Sequence, residues 1–456
     1  MTETMVSPPT RVVIVGGGVV GSEVARRVGR FDRPVDVTLI ETDGVQAYPS
    51  LLAEVASGVV EPSHAAVPLR SVLPRARVLG GVVTGRDATA RTVRVRDSEG
   101  IEIDIPYDHL VVAPGSIADL APIPGLEERA AGLRTITEAL DLRERVLERT
   151  QFAEVTSDPA RRARAATFVV VGAGRSGVQA IAAMSDLALA ACDQRPGLAP
   201  DELRFVLVEA TAQILPEAGT SMRHAAVREL ESRRVEVRVE TLVSSVDDQA
   251  IRLSDGTDLA ADTVVWCAGS RPSIVLEALD LPLTEDGTVE VQATLEVRGH
   301  EGTWAAGDCA AVLDPATGRR LPRGEASAWR EARTLAANIE RTMGGDDPCE
   351  FRYRPKVELI TIGRFSAVGE AAGVRLRGFP AWALQAVLHV SRVPTVARKA
   401  RVVVDWLTSL SLPREVMSLG SDRDPHRPWR HAEGVSGVDG GGKEPGARQT
   451  PKEHRA

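Results

Sequence analysis

The hydrophobic pattern opens with a short β-branched run, Arg11-Val-Val-Ile-Val15, that passes without a break into Gly16-Gly-Gly18-Val-Val-Gly21. An unbroken apolar run of this length fits a strand buried on both faces rather than one with a wet side. The stretch after it, Ser22-Glu-Val-Ala-Arg-Arg-Val, has the mixed pattern of a helix. The same arrangement returns later. Thr167-Phe-Val-Val-Val171 leads into Gly172-Ala-Gly174-Arg-Ser-Gly177, then Val178-Gln-Ala-Ile-Ala-Ala-Met. Each glycine of the second set lies 156 residues after its counterpart (16 to 172, 18 to 174, 21 to 177). Two βαβ units, hence two nucleotide-binding folds of the α/β class, are predicted.

The remaining segments divide by their periodicity. Residues 78–105 alternate apolar and polar around Gly80, Gly81 and Asp97, as in an antiparallel excursion. Residues 186–204, with Pro196, Gly197 and Pro200, read as a loop that interrupts the second unit before its next strand, Phe205-Val-Leu-Val208. Residues 235–265 suggest strands with a turn at Asp255-Gly256. Residues 381–410 suggest a surface helix pair in which Val403, Trp406, Leu407 and Leu410 form one apolar stripe, preceded by Arg398, Lys399 and Arg401. Such a helix can sink its apolar face among lipids and meet anionic head groups with the other. The same stripe can instead pack on the protein's own body or on a second subunit, a homodimer. From 421 the chain is Asp, Arg, His, Pro and Gly with few apolar residues, and a disordered tail is expected over 421–456.

Composition narrows the function classes. A chain of 456 residues predicts two or three domains. At 43% hydrophobic and 26% charged it has ample core material, which rules out a wholly disordered chain. The formal charge of −8 argues against nucleic acid as a partner. Cys192, Cys267, Cys309 and Cys349 stand far apart with no CxxC pair, which disfavours a disulfide framework, a zinc cluster or a redox dithiol. No metal site is expected. Met1 to Thr10 carries no secretory signal, and no apolar run approaches the roughly 18 residues of a membrane span, so a cytoplasmic location is expected.

Each glycine of the loops has a separate task. The first allows a tight strand-to-helix turn, and the second lets backbone approach a pyrophosphate. The third lets helix and strand pack, so that free N–H groups at the helix start point at the anion. An acid ending the next strand then accepts hydrogen bonds from a ribose. Glu41 ends Val37-Thr-Leu-Ile40, 20 residues after Gly21, and Glu209 ends Phe205–Val208, 32 residues after Gly177. A carboxylate at Glu209 would repel a 2′-phosphate, which favours NADH over NADPH.

In family order over residues 11 to 410, the sequence resembles the two-dinucleotide-binding-domain flavoproteins, and within them the type II NADH dehydrogenases. Tyr107-Asp-His-Leu-Val-Val-Ala-Pro-Gly-Ser116 is similar to the crossover out of the flavin domain, and Asp262–Gly269 to the matching exit from the NAD domain. Gly302–Ala310 is similar to the late "GD" motif. Narrower likenesses are Tyr48–Gly58 to "FxPLLYxVAxG", Val67–Arg70 to "PLR", Ile362–Val368 to "IGRxxAV" and Gly378–Trp382 to "GxxAW". The resemblance implies a flavin domain over 11–118 and 291–378 with the NAD domain, 119–290, inserted. It also implies a C-terminal membrane-associating segment over 379–420 on the cytoplasmic face. FAD would be held by Gly16, Gly18, Gly21, Glu41, Ala113, Gly115, Gly307 and Asp308, with Asp308 on the ribityl chain. NADH would be held by Gly172, Gly174, Gly177, Glu209 and Gly269.

The implied reaction passes hydride from NADH to FAD and electrons on to a membrane quinone, with no side chain as nucleophile and hence no catalytic residue assigned. Cys309 and His389 read as packed residues. The chain departs from the family at the acceptor side. Ala326 and Arg330 stand where the "AQxAxQ" glutamines line the quinone site, Gln179 replaces the glutamate of "GVE", and Ser50 and Ala53 replace the "PLLY" proline and tyrosine. These departures keep open a non-quinone acceptor, a small oxidant or a redox protein, and a slow redox-sensing flavoprotein.

Overall fold

Two parallel sheets carry the two glycine loops. A computed structural model of the chain describes residues 8–120, 122–355, 357–412 and 416–418. Thr10–Val15 (β1) pairs in parallel with Val35–Glu41 (β2), which pairs with Arg77–Gly80 (β3). On the other side of β1 lies His109–Val112 (β4), buried throughout. Val12 to Val15 are all at most 3% exposed, which explains the unbroken apolar run. Between β1 and β2 runs Val19–Val28 (α1), and Leu52–Ala56 (α2) follows β2. The excursion expected over 78–105 is antiparallel only from Val82 onward; Arg77–Gly80 pairs parallel to β2 because its apolar side chains seal that sheet's edge.

After the long helix Ile136–Val155 (α3), the second sheet repeats the arrangement. Thr167–Val171 (β5), Arg204–Val208 (β6), Val235–Arg238 (β7) and Thr263–Trp266 (β8) are parallel, in the order β7-β6-β5-β8. Arg175–Cys192 (α4) follows β5, so the loop before β6 is shorter than the sequence suggested. The turn at Asp255-Gly256 closes an antiparallel meander of Val243–Val246, Ala250–Leu253 and Asp258–Ala260. Gly256 holds φ +84° there, where a side chain would be strained.

The chain then returns to the first sheet. Thr303–Ala305 (β9) pairs in parallel with β4, completing the order β9-β4-β1-β2-β3. Glu325–Met343 (α5) packs against α1. An antiparallel hairpin pair, Val357–Thr361 (β10), Ala367–Ala371 (β11) and Val374–Gly378 (β12), precedes Phe379–Arg392 (α6) and Val396–Ser411 (α7). Residues up to Met417 form one unit. The tail for which disorder was expected, 421–456, lies outside the described residues.

One expected stripe is divided by the structure. Trp406 is 5% exposed and turns inward with Val402, whereas Val403, Leu407 and Leu410 face out. Trp406 packs edge-on against Trp382 of α6 at 5.5 Å, and Trp382 meets Phe365 edge-on at 4.8 Å. The inner face of α7 is partly polar: Asp405 takes the His64 ring at 2.7 Å, and Ser409 donates to the Val59 carbonyl at 3.2 Å. No helix among the described residues is long and apolar enough to cross a membrane.

Candidate functional site

The two loops have the same local construction. Gly16 and Gly172 adopt φ of +99° and +95°, each at the end of its strand, where the chain turns back toward its helix. Their amides bond to the next strand, Gly16 N to the Ile40 carbonyl at 2.9 Å and Gly172 N to the Val208 carbonyl at 2.7 Å. Packing explains the first and last glycine of each set. A Cβ on Gly16 would lie 2.3 Å from the Ala113 carbonyl oxygen, and one on Gly172 would lie 2.5 Å from the Ala268 amide. A Cβ on Gly21 or Gly177 would lie 1.8 Å from the carbonyl oxygen of Gly16 or Gly172.

The middle glycines are different. A Cβ on Gly18 or Gly174 would meet no protein atom within 4 Å. The protein's own packing does not demand glycine there, so what that space admits is a ligand. Both α1 and α4 begin at these residues with no side-chain cap, leaving backbone N–H groups free for an anion. The residues therefore fit a dinucleotide at each loop.

The two acids also behave alike. The Glu41 carboxylate accepts from Gly17 N at 2.5 Å and from Thr42 N at 2.8 Å. The Glu209 carboxylate accepts from Ala173 N at 2.6 Å and from Thr211 N at 2.9 Å. Each acid is thus fixed by the residue after the first glycine of its own loop. Arg175, the first residue of α4, pairs with Glu358 at 2.7 Å and ties the second loop to β10.

The crossover residues converge on the first loop. Ala113 N bonds to the Val15 carbonyl at 2.8 Å, and Gly115 turns the chain out of the sheet with φ +71°. Gly269 makes the matching turn out of the second sheet with φ +76°. Asp308 accepts from Ser116 Oγ at 2.9 Å, and Ser116 Oγ accepts from the Arg134 guanidinium at 2.7 Å. Gly307 N donates to Glu331 Oε2 at 2.7 Å. Glu331 is a site residue that motif reading missed. Burial pushes its carboxyl up to about 7; the Gly307 amide opposes this and the Asp308 charge adds to it.

The acceptor-side candidates lie on two helices. Ala326 and Arg330 lie one turn apart on α5, while Gln179 lies in the first turn of α4, beside the other loop. Arg330 stacks its guanidinium over the Tyr353 ring at 5.1 Å. Cys309 is buried beneath the first sheet, and burial pushes its thiol up to about 12, which leaves it an inert packed residue. His389 is also buried; burial holds its ring near 4, so it is neutral.

Residues 10–334 match the family described as pyridine nucleotide-disulphide oxidoreductase. The chain belongs to this family. It is 32% identical over 437 residues to the type II NADH:quinone oxidoreductase Ndh of Mycobacterium tuberculosis, covering 91% of this chain and 92% of that one. It is 33% identical over 414 residues to NdhA of the same organism, covering 87% and 86%. This oxidoreductase is therefore of the type II NADH:quinone class. Its fold is that of the solved NDH2 of Plasmodium falciparum in complex with NADH, with a TM-score of 0.81 at 15% identity, covering 90% of this chain and 99% of that one. The family name speaks of a disulphide, but Cys192, Cys267, Cys309 and Cys349 are all free.

Proposed function

We propose that this protein is an FAD-dependent NADH dehydrogenase that passes electrons to a membrane quinone while resting on the cytoplasmic face of the cell membrane. One observation carries the reading: a single chain holds two glycine cradles, each open at its middle glycine and each braced by its own acid. FAD, when bound, supplies two-electron chemistry between a hydride donor and an acceptor. The first cradle, Gly16, Gly18 and Gly21, would hold its pyrophosphate, with Glu41 on the ribose. Ala113, Gly115, Gly307 and Asp308 would line the rest of the flavin site, and Ser116 and Glu331 would keep Asp308 and Gly307 in place. The second cradle, Gly172, Gly174 and Gly177, would hold NADH, with Glu209 on the ribose and Gly269 at the exit. In this reading residues 11–118 and 291–378 form the flavin domain and 119–290 the NAD domain; the return of β9 to the first sheet supports that division.

The membrane contact would be the outer face of the helix pair. Phe379 and Val387 of α6 are exposed with Val396, Val403, Leu407 and Leu410 of α7, while polar Asp405 and Ser409 face the protein. A helix that buries Val402 and Trp406 yet still exposes Val403, Leu407 and Leu410, with Arg401 beside them, is suited to a lipid surface. Anaerobic NADH should bleach the yellow chromophore of the purified protein, and short-chain quinones should restore it. A colourless protein that takes up no flavin would overturn the reading. Turnover with ferricyanide but with no quinone would assign a different acceptor.

A further inference from the structure

The two exits from the sheets are built alike. Gly115 is followed by Ser116 and Gly269 by Ser270, and the strands these serines open, Ser116–Ala118 and Ser270–Pro272, pair antiparallel with each other. An arginine from elsewhere in the chain grips each serine twice. Arg134 donates to the Ser116 carbonyl at 3.1 Å and to Ser116 Oγ at 2.7 Å. Arg323 donates to the Ser270 carbonyl at 3.3 Å and to Ser270 Oγ at 3.2 Å. The pattern is crossed. Arg134 lies in the stretch between the exits, which carries the second glycine loop, yet it grips the exit of the first sheet. Arg323 follows the return to the first sheet, yet it grips the exit of the second.

The two grips differ in what lies beyond them. Ser116 Oγ goes on to donate to Asp308 Oδ2 at 2.9 Å. A guanidinium carries only donors, so Ser116 Oγ accepts from Arg134 and its single proton is turned to Asp308. A hydroxyl polarised by a cation on one side donates more strongly to a carboxylate on the other. Arg134 is itself held from its backbone. Its amide donates to Glu138 Oε2 at 2.6 Å, and the same oxygen takes Thr135 N at 2.9 Å in the capping box of α3. Gly132 makes room for that carboxylate, since a Cβ there would lie 2.5 Å from Glu138 Oε1.

We propose that Arg134 is a positioning residue for the flavin: through the Ser116 hydroxyl it holds the Asp308 carboxylate toward the flavin side chain. The inference rests on the FAD reading above. Fixing Oδ2 leaves Oδ1 as the oxygen that meets the ligand. Retention of FAD then depends on an arginine of the inserted segment, outside every motif that carries the flavin site.

The test follows FAD leaving the flavin-loaded enzyme, read by the rise in flavin fluorescence on release. Arg134→Leu and Ser116→Ala should each speed release about fivefold or more, the weight of one hydrogen bond. Combining them should add less than about twofold to the faster single variant, because both cut the same path. Arg134→Lys still offers a donor to Ser116 Oγ and should release FAD within about twofold of wild type. Arg323→Leu loosens the matching grip but leaves the Ser116 bond to Asp308 in place, and should also stay within about twofold. The Kd for NAD+, which occupies the second cradle without turnover, reports that the variants keep their fold. If the wild-type enzyme carries no flavin, the FAD reading fails. If it carries FAD and Arg134→Leu releases it at the wild-type rate, the proposal is wrong. It is equally wrong if the double variant multiplies the two single effects, or if Arg323→Leu matches Arg134→Leu, since Arg134 then only braces the crossover. Should Arg134→Leu not accumulate, Ser116→Ala decides: release at the wild-type rate overturns the relay.

Discussion

Trp406 donates its indole N–H to the Glu54 carboxylate at 2.6 Å, across 352 residues of chain. Glu54 lies on α2, beside the first glycine-loop domain's core, and Trp406 is the inward anchor of α7. The carboxyl is fully buried. Burial pushes its pKa up to about 7, against the weaker pull of the Trp406 and Trp382 indoles. The seating of the C-terminal helices is therefore linked to the charge of one acid.

That linkage has a definite sign. An acid whose folded pKa of about 7 lies above its ordinary 4.5 binds protons more tightly when folded. The contribution of this carboxyl to stability is greatest below pH 4.5, falls as pH rises toward 7, and is level above. The full difference is about 3 kcal/mol. Urea unfolding from pH 5 to 8 should show this decline, and Glu54→Gln should remove a large part of it. Two other buried groups act in the same window. Glu331, also pushed up to about 7 by burial, adds to the decline, while His389, held at about 4, opposes it below pH 6.5. The Glu54 effect is therefore read as the difference between wild type and Glu54→Gln. An unchanged slope in Glu54→Gln would exclude the linkage.

The two faces of α7 should respond oppositely to substitution. Trp406→Ala empties a buried aromatic position and should cost about 3–5 kcal/mol in urea unfolding. Leu407→Asp with Val403→Asp changes only exposed positions and should leave stability within about 0.5 kcal/mol. The same pair should abolish flotation with anionic liposomes while flavin stays bound. Deleting the whole segment would be uninformative, because it would remove Trp382 and Trp406 from the core.

The glycines of the second loop separate packing from ligand approach. Gly177→Ala places a Cβ 1.8 Å from the Gly172 carbonyl oxygen and should prevent accumulation of folded protein. Gly174→Ala meets no protein atom and should melt within about 2 °C of wild type. Its KM for NADH should nevertheless rise more than about tenfold, since the new methyl stands where pyrophosphate approaches. Steady-state kinetics beside a thermal melt decide both outcomes.

Glu209 should set the choice of donor. Glu209→Gln keeps a hydrogen-bonding group near Ala173 N but removes the charge that repels a 2′-phosphate. The ratio of kcat/KM for NADPH over NADH should rise about tenfold or more. A ratio unchanged from wild type would place the discrimination elsewhere.

The glycine loops, the strands before them and the acids after them were readable in sequence because each is a local device. A turn, a helix start and the end of the next strand are fixed by geometry within a few tens of residues. Even the braces from Glu41 and Glu209 back to their own loops follow from that short-range geometry. Partners far apart in the chain gave no such signal. Nothing beside Glu54 points to Trp406, nothing beside Gly307 points to Glu331, and nothing beside Asp308 points to Ser116 or Arg134.

The C-terminal helix shows the division most plainly. Residues 403, 407 and 410 and residues 402, 406 and 409 both repeat at helical spacing, about 100° of rotation apart. Sequence alone determined that α7 is an amphipathic helix, since periodicity records that one side differs from another. Which side meets the protein was decided by the tertiary structure, because only the packing of Trp382 and the buried Glu54 offers Trp406 both a wall and a hydrogen-bond acceptor.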